Sequence, residues 1–198
     1  MLNILLLGAS PSRTSSSRAL LADVGERLAG LGHHLSWLEV CDLPSQALLH
    51  ADFHNADILA ALAQVEEAEA VVIATPVYQA SYTGILKVFL DILPQDGLKN
   101  KLVLPLAVGG SQSHMLAIDY ALRPVLQALS AELVLPGIYA TSAQLKGAGG
   151  QAYAVEAALA TRLERGIARL HSESRRYYVD NKEFLHRTPS ATAELALR

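Results

Sequence analysis

A hydroxyl-rich segment near the start of the chain has the composition of a phosphate-binding loop. Six of the eight residues at positions 10–17 carry hydroxyl groups, and Arg13 lies among them. The segment separates a short apolar run from an amphipathic stretch that begins at Arg18. The first amides of a helix lack intrahelical acceptors and carry partial positive charge, so such a loop can bind an anion. The predicted phosphate-binding residues are Ser10, Arg13, Ser15, Ser16 and Ser17.

An ordinary turn that ends in a helix N-cap is the alternative interpretation of this segment. Its position after the first strand of a parallel sheet favours phosphate binding, because ligands of such sheets lie beyond the carboxyl ends of the strands. The segment contains neither Gly-Lys-Ser/Thr nor Gly-x-Gly-x-x-Gly, which are typical of triphosphate and dinucleotide sites. A mononucleotide remains, and FMN is the common one for this layout.

Two later loops have residues suited to holding a flat heteroaromatic ring. One loop, at positions 75–84, contains a proline, two tyrosines and an amide, and the other begins with two glycines at position 109. Tyrosine rings stack on flat ligands, and bare backbone can approach them closely. For Tyr82 the alternative is a place at a protein interface, and for the two glycines it is a simple turn. His114 fits a helix cap or a surface position better than a role in general acid catalysis. The predicted ring-binding residues are Pro76, Val77, Tyr78, Gln79, Ser81, Gly84, Gly109, Gly110, Ser111 and His114.

Short apolar runs alternate with longer amphipathic segments, which predicts a parallel sheet covered on both faces. Strands are predicted at residues 2–7, 35–40, 70–74, 102–108 and within 133–140, and helices at 18–31, 58–67, 84–93, 114–129 and 152–171. The expected fold is α/β: a flavodoxin-like, doubly wound, five-stranded parallel sheet with helices on both faces. We expect one domain over residues 1–175 and a polar C-terminal tail over 176–198, whose last dozen residues are mobile or docked on a neighbouring subunit.

Composition narrows the classes of function. A hydrophobic content of 51% and a net charge of −3 are typical of a globular protein without attraction for nucleic acid or anionic membranes. No stretch approaches the roughly 20 apolar residues of a membrane helix. The single cysteine, Cys41, points to the reducing cytoplasm, and a cysteine phosphatase is disfavoured because position 47 is Ala47 and not arginine.

These loops give the chain a close resemblance to the NADPH-dependent FMN reductases that serve two-component alkanesulfonate monooxygenases. The likeness runs from the start to about Gln144 and is carried by Thr75-Pro76-Val77-Tyr78 with Gly84-x-x-Lys87, by Leu104-Pro105-Leu106-Ala107-x-Gly109-Gly110 before His114, and by Asp119-Tyr120-Ala121-Leu122-Arg123-Pro124-Val125-Leu126. One departure is Ala9-Ser10-Pro11-Ser12, where the family usually has Gly-Ser-Pro-Arg. Either Arg13 or Arg18 could then meet the phosphate.

The resemblance implies that FMN is a dissociable substrate, reduced by NADPH and passed to an FMNH2-dependent monooxygenase. It also implies a homo-oligomer, a dimer or tetramer, in which Tyr120 forms a π-bulge at the interface. Hydride transfer needs stacked rings and no side-chain nucleophile, so no catalytic residue and no metal ligand are predicted. Two rivals stay open: a quinone, azo-dye or metal-oxyanion reductase that keeps FMN tightly bound, and a non-enzymatic electron carrier of the flavodoxin type. The choice between NADPH and NADH also stays open.

Overall fold

The computed structural model describes residues 1–146 and 154–187. Its strands are β1 (Asn3–Gly8), β2 (His34–Glu39), β3 (Ala70–Tyr78), β4 (Ser81–Tyr82), β5 (Leu102–Gly109), β6 (Leu133–Val134), β7 (Ile138–Thr141), β8 (Leu145–Lys146) and β9 (Ala154–Val155). Its helices are α1 (Ser16–Gly30), α2 (Ser45–Leu49), α3 (Ala56–Glu67), α4 (Gly84–Asp91), α5 (Arg123–Ala128) and α6 (Ala157–Arg187), with a π-helix at Ile118–Leu122.

The main sheet has the strand order β2-β1-β3-β5, followed by β6 and β7, which both pair with β5. All these pairings are parallel, so β6 and β7 form one interrupted fifth strand. The interruption includes Pro136, which has no amide hydrogen to donate to a ladder. This arrangement confirms the prediction of a five-stranded, doubly wound sheet of the flavodoxin-like type.

Alternate residues of each buried strand serve two cores on opposite faces of the sheet. Leu5 and Leu7 of β1 belong to the cluster that includes residues of α3 and α4, whereas Ile4 and Leu6 belong to the cluster with α1 and α6. The side chains of all four are almost wholly buried. Because both faces of β1 are apolar, the strand reads in the sequence as a continuous apolar run, which is typical of a parallel sheet.

The helix predicted at 114–129 is divided in the structure. A 3₁₀ turn at Gln112–His114 is followed by the π-helix and then by α5, whose first turn contains Pro124. A π-helix accommodates an extra residue at the cost of regular hydrogen bonding. The π-helix includes Tyr120, so the backbone feature that the family resemblance implied is confirmed at this position.

The last helix is displaced toward the C-terminus relative to its predicted range of 152–171. It begins at Ala157 and ends at Arg187, and the 167–187 stretch contains no glycine or proline to stop it. The sequence of its second half is rich in polar residues, which is why apolar periodicity underestimated its length. Among the described residues, no helix has the length and apolar character needed to cross a membrane. The prediction for the last dozen residues lies outside the described residues apart from Arg187.

A histidine pair joins α6 to the turn between α1 and β2. Nε2 of His33 lies 2.9 Å from Nδ1 of His171, at the end of the sheet opposite the predicted site. Burial lowers the pKa of His33, as do the nearby His171 and the N-terminal amine of Met1, while Glu69 opposes them. The imidazole of His33 therefore binds a proton less readily in the native state than in the unfolded chain.

We expect acid to destabilise the fold through this pair. As pH falls below about 6.5, the ordinary pKa of histidine, the unfolded chain binds the proton first and the free energy of unfolding decreases. The loss is complete once pH passes below the lowered pKa of His33. Urea unfolding at pH 8 and pH 5.5 should show a smaller difference in His33→Gln than in the wild type, while the exposed control His50→Gln should keep the wild-type difference.

Candidate flavin site

Three loops meet at the carboxyl end of the sheet, where β1, β3 and β5 are neighbours. The amide of Ala9 donates to the carbonyl of Ala74 at 2.9 Å, which continues the β1–β3 ladder into the first loop. The hydroxyl of Thr83 donates to the carbonyl of Ala9 at 2.7 Å, and the amide of Thr83 donates to Oγ1 of Thr75 at 3.2 Å. The predicted phosphate loop and the first ring loop are thus tied together.

The first loop contains the N-cap of α1, and it also has groups that can bind an anion. Oγ of Ser15 accepts from the amide of Arg18 at 3.2 Å, so Ser15 is the N-cap of α1. Ser10 and Ser17 are buried, and their hydroxyls lie 3.1 Å from the amide of Ser12 and from Oγ of Ser15 respectively. The amides of Ser16 and Ser17 are in the first helical turn, where no intrahelical acceptor exists. The N-cap interpretation is therefore correct and leaves these amides for a ligand.

The two arginines of this loop differ in how firmly they are held. Nε of Arg18 lies 2.8 Å from Oε1 of Glu39, a buried carboxylate, and its Nη1 donates to the carbonyl of Arg13 at 3.0 Å. Nη2 of Arg13 lies 2.7 Å from Oδ1 of Asp42, and both of these side chains are largely exposed. Arg18 is thus paired with a buried carboxylate, whereas Arg13 is paired with an exposed one.

The first ring loop is a tight hairpin, where the sequence predicted only a loop. β4 pairs antiparallel with the end of β3, with Tyr78 opposite Ser81. The two linking residues, Gln79 and Ala80, have φ of 48° and 61°. Left-handed values at both turn positions are typical of a type I′ hairpin and are strained in residues other than glycine, asparagine and aspartate. The hairpin leaves Tyr78 and Gln79 exposed.

The remaining residues predicted on this loop line its base. Pro76 is buried, Val77 and Ser81 are half-buried, and Gly84 is exposed at the first position of α4. A side chain at Gly84 would meet no atom within 4 Å, so the space beside it is open. The hairpin thus presents backbone and small side chains next to the phosphate loop.

Tyr139 holds the second ring loop in place, and the sequence analysis did not predict this role for it. Its buried hydroxyl donates to the carbonyl of Ser111 at 2.5 Å. A Cβ on Gly109 would lie 2.1 Å from this hydroxyl, so the first glycine makes room for Tyr139, whereas the second, Gly110, faces open space. Ser111 caps the following 3₁₀ turn through its hydroxyl, and His114 is exposed within that turn.

Neither Thr83 nor Tyr139 carries a local signal of its role. Thr83 precedes α4, where threonine is a common N-cap, but its hydroxyl bonds to the first loop instead.

Cys41 lies at the edge of the site, and burial raises the pKa of its thiol, with Asp42 adding to the effect. A thiol with a raised pKa is a weaker nucleophile at neutral pH, because less of it is ionised.

The strand order defines a flavodoxin-like protein, and the three loops lie at the edge of the sheet where proteins of this fold bind their ligands. Residues 2–146 match the model of the family described as NADPH-dependent FMN reductase. The chain belongs to this family, which makes it an NAD(P)H-dependent flavin reductase with FMN and NADPH as its flavin and electron donor. The predicted membership of this family and the predicted NAD(P)H-dependent reduction of FMN are thereby confirmed.

Individual relatives agree with this assignment. The chain is 43% identical over 147 residues to an FMN reductase (NADPH) of Pseudomonas putida, covering 74% of this chain and 75% of the relative. It is 40% identical over 144 residues to an FMN reductase (NADPH) of Escherichia coli, covering 73% and 75%. Among solved structures, the apo form of the NADH:FMN oxidoreductase EMOB is similar, with a TM-score of 0.80, 37% identity and coverage of 87% and 90%.

The described residues fit an FMN molecule at this edge. The amides of Ser16 and Ser17 and the exposed Arg13 suit a phosphate, and the open space beside Gly84 and Gly110 suits a flat ring approached by backbone. When bound, the flavin supplies the redox chemistry, because its ring accepts a hydride from a nicotinamide. The protein's contribution is to bind and orient the two rings.

Proposed function

We propose that this chain reduces FMN as a diffusible substrate and supplies the reduced flavin to a partner monooxygenase that acts on alkanesulfonates. The observation that carries the proposal is the bond from Thr83 to Ala9, which fixes the phosphate loop against the first ring loop. A ligand that contacts both loops would therefore meet them at a fixed separation. FMN reductases are among the similar proteins of known activity, which supports reduction of FMN by a nicotinamide.

The roles of the chain's own residues follow from their positions. Ser10, Ser15, Ser16, Ser17 and Arg13 would bind the phosphate through amides, hydroxyls and one guanidinium. The backbone of the hairpin and of the Gly109–Gly110 loop would orient the ring, with Pro76, Val77, Tyr78, Gln79, Ser81, Gly84, Ser111 and His114 around it. Tyr139 and Thr83 act as positioning residues, because they hold the loops and not the ligand. In this mechanism no side chain exchanges a proton with the substrate.

The purified protein tests this proposal directly. We expect a colourless protein that oxidises NADPH only when free FMN is added, with saturation as FMN increases. Comparison with NADH under the same conditions would give the nucleotide preference. A yellow protein that needs no added FMN but requires a quinone or a dye would contradict the proposal and favour a reductase with tightly bound flavin. A protein that oxidises NADPH neither with free FMN nor with a quinone or dye would favour a non-enzymatic electron carrier.

We further propose a cytoplasmic homo-oligomer, a dimer or tetramer, built on the π-helix. Met115 and Leu116 precede the π-helix and Tyr120 lies within it, and their exposed fractions are 52%, 52% and 78%. A cluster of large apolar side chains beside a binding site is typical of an interface. We also propose that the reductase domain spans residues 1–175 and that residues 176–198 form a C-terminal tail.

Replacement of Tyr120 by alanine should weaken self-association. Loss of a large aromatic from the centre of an interface costs about 2 kcal/mol or more, or roughly a thirtyfold rise in the dissociation constant. Sedimentation velocity over a concentration series would measure the shift, with the exposed apolar control Leu49→Ala expected to associate like the wild type. An unchanged Tyr120→Ala association would remove this residue from the interface.

A further inference from the structure

We propose that Asp42 sets the affinity of the site for FMN by competing with the flavin phosphate for Arg13. The carboxylate holds the guanidinium that a phosphate would need, and it therefore keeps FMN dissociable. This inference rests on the proposed function, because it assumes that the phosphate of FMN binds in the first loop.

The geometry places a carboxylate at the rim of that loop. β1 and β2 are parallel neighbours with Gly8 opposite Glu39, and the chain leaves β2 through a 3₁₀ turn that ends at Asp42. Oδ1 of Asp42 lies 2.7 Å from Nη2 of Arg13. The loop that follows β2 thus contributes an acidic group to the loop that follows β1.

The charges of this region cancel within the described structure. Arg18 is paired with Glu39 at 2.8 Å, and Arg13 is paired with Asp42. Each of the two arginines therefore has a carboxylate, so an arriving phosphate meets hydrogen-bond donors but no uncommitted guanidinium. An arginine without a carboxylate partner can bind an oxyanion through two parallel hydrogen bonds.

The two ion pairs differ in their ability to exchange partners. Glu39 is only 8% exposed, and breaking its pair would leave a buried carboxylate unpaired. The side chains of Arg13 and Asp42 are 70% and 43% exposed, and ion pairs at such positions contribute little to stability. Arg13 can therefore turn from Asp42 to a phosphate while Arg18 stays in place. Loss of the Asp42 contact offsets part of the gain, which weakens the binding of oxidised and reduced FMN alike because both carry the phosphate.

The variant Asp42→Asn tests the inference. It removes the competing charge at an exposed position, so folding should be unaffected. At low ionic strength we expect the dissociation constant of FMN, measured by quenching of flavin fluorescence, to decrease about three- to tenfold. Riboflavin lacks the phosphate, and its dissociation constant should not change. The gain for FMN should shrink as salt is added, because salt screens exposed charges.

Two further variants make the test specific. In an Arg13→Gln background, Asp42→Asn should have little effect on FMN binding, because the contested guanidinium is absent. Asp23→Asn is the charge control, since it removes the same charge from a half-buried pair with Arg27 in α1, and it should bind FMN like the wild type. An FMN constant within twofold of wild type in Asp42→Asn, or equal gains for FMN and riboflavin, would overturn the inference. A wild-type protein that bound neither flavin would instead refute the proposed function, and the inference with it.

Discussion

Replacing Gly109 by alanine should lower kcat/KM for FMN about 10- to 100-fold, because small displacements of an orienting loop have effects of this size. The new Cβ would lie 2.1 Å from the hydroxyl of Tyr139 and 3.1 Å from its Cζ. Tyr139 is only 4% exposed, so its ring is packed against neighbouring residues and cannot move out into solvent without disrupting them. Either the loop or the tyrosine must move, and the bond from Tyr139 to Ser111 that shapes the loop is then lost. NADPH oxidation at varied FMN concentrations would measure the loss.

The adjacent glycine and the tyrosine provide controls for this prediction. A Cβ on Gly110 would meet no atom within 4 Å, so Gly110→Ala should unfold at the same urea concentration as the wild type. Gly109→Ala should lose about 1–3 kcal/mol of unfolding free energy through overpacking. Adding Tyr139→Phe removes the clashing oxygen and should restore part of that stability. A Gly109→Ala enzyme with kcat/KM within twofold of the wild type would show that this contact does not position the loop.

Thr83→Val should raise KM for FMN about tenfold and lower the free energy of unfolding by about 1–3 kcal/mol. Valine keeps the shape of threonine but removes the hydroxyl that donates to the carbonyl of Ala9 at 2.7 Å. It also removes the contact at 3.3 Å with the hydroxyl of Thr75. Both threonines are buried, so water cannot readily replace the lost donor. The phosphate loop would then lose its tie to the start of α4 and keep only the backbone bond from Ala9 to Ala74, so its position relative to the hairpin would be less well fixed.

A conservative variant separates the lost hydrogen bond from general destabilisation. Thr83→Ser keeps the hydroxyl and should retain a KM close to that of the wild type. Thr161→Val in α6 removes an exposed hydroxyl that bonds to the carbonyl of Ala157, and neither its stability nor its KM should change measurably. If Thr83→Ser and Thr83→Val raised KM equally, the hydrogen bond to Ala9 would not be what joins the two loops.

The fold was predictable because its main signals are local. The continuous apolar run of β1 and the polar loop that follows it are visible in the sequence, and both faces of that strand prove to be buried. The errors came from elements whose stability is not expressed as apolar periodicity. The hairpin depends on left-handed backbone at Gln79 and Ala80, and the second half of α6 is a polar helix.

The amino-acid sequence by itself determined which loops share one edge of the sheet, because the alternation of buried strands and amphipathic helices places the loops after β1, β3 and β5 there. Only the tertiary structure decided how those loops are held and charged. The partners of Arg18, Ser111 and Ala9 are 21, 28 and 74 residues away in the chain. Contacts between such distant residues depend on strand order and side-chain packing, and no pattern within a single segment encodes them.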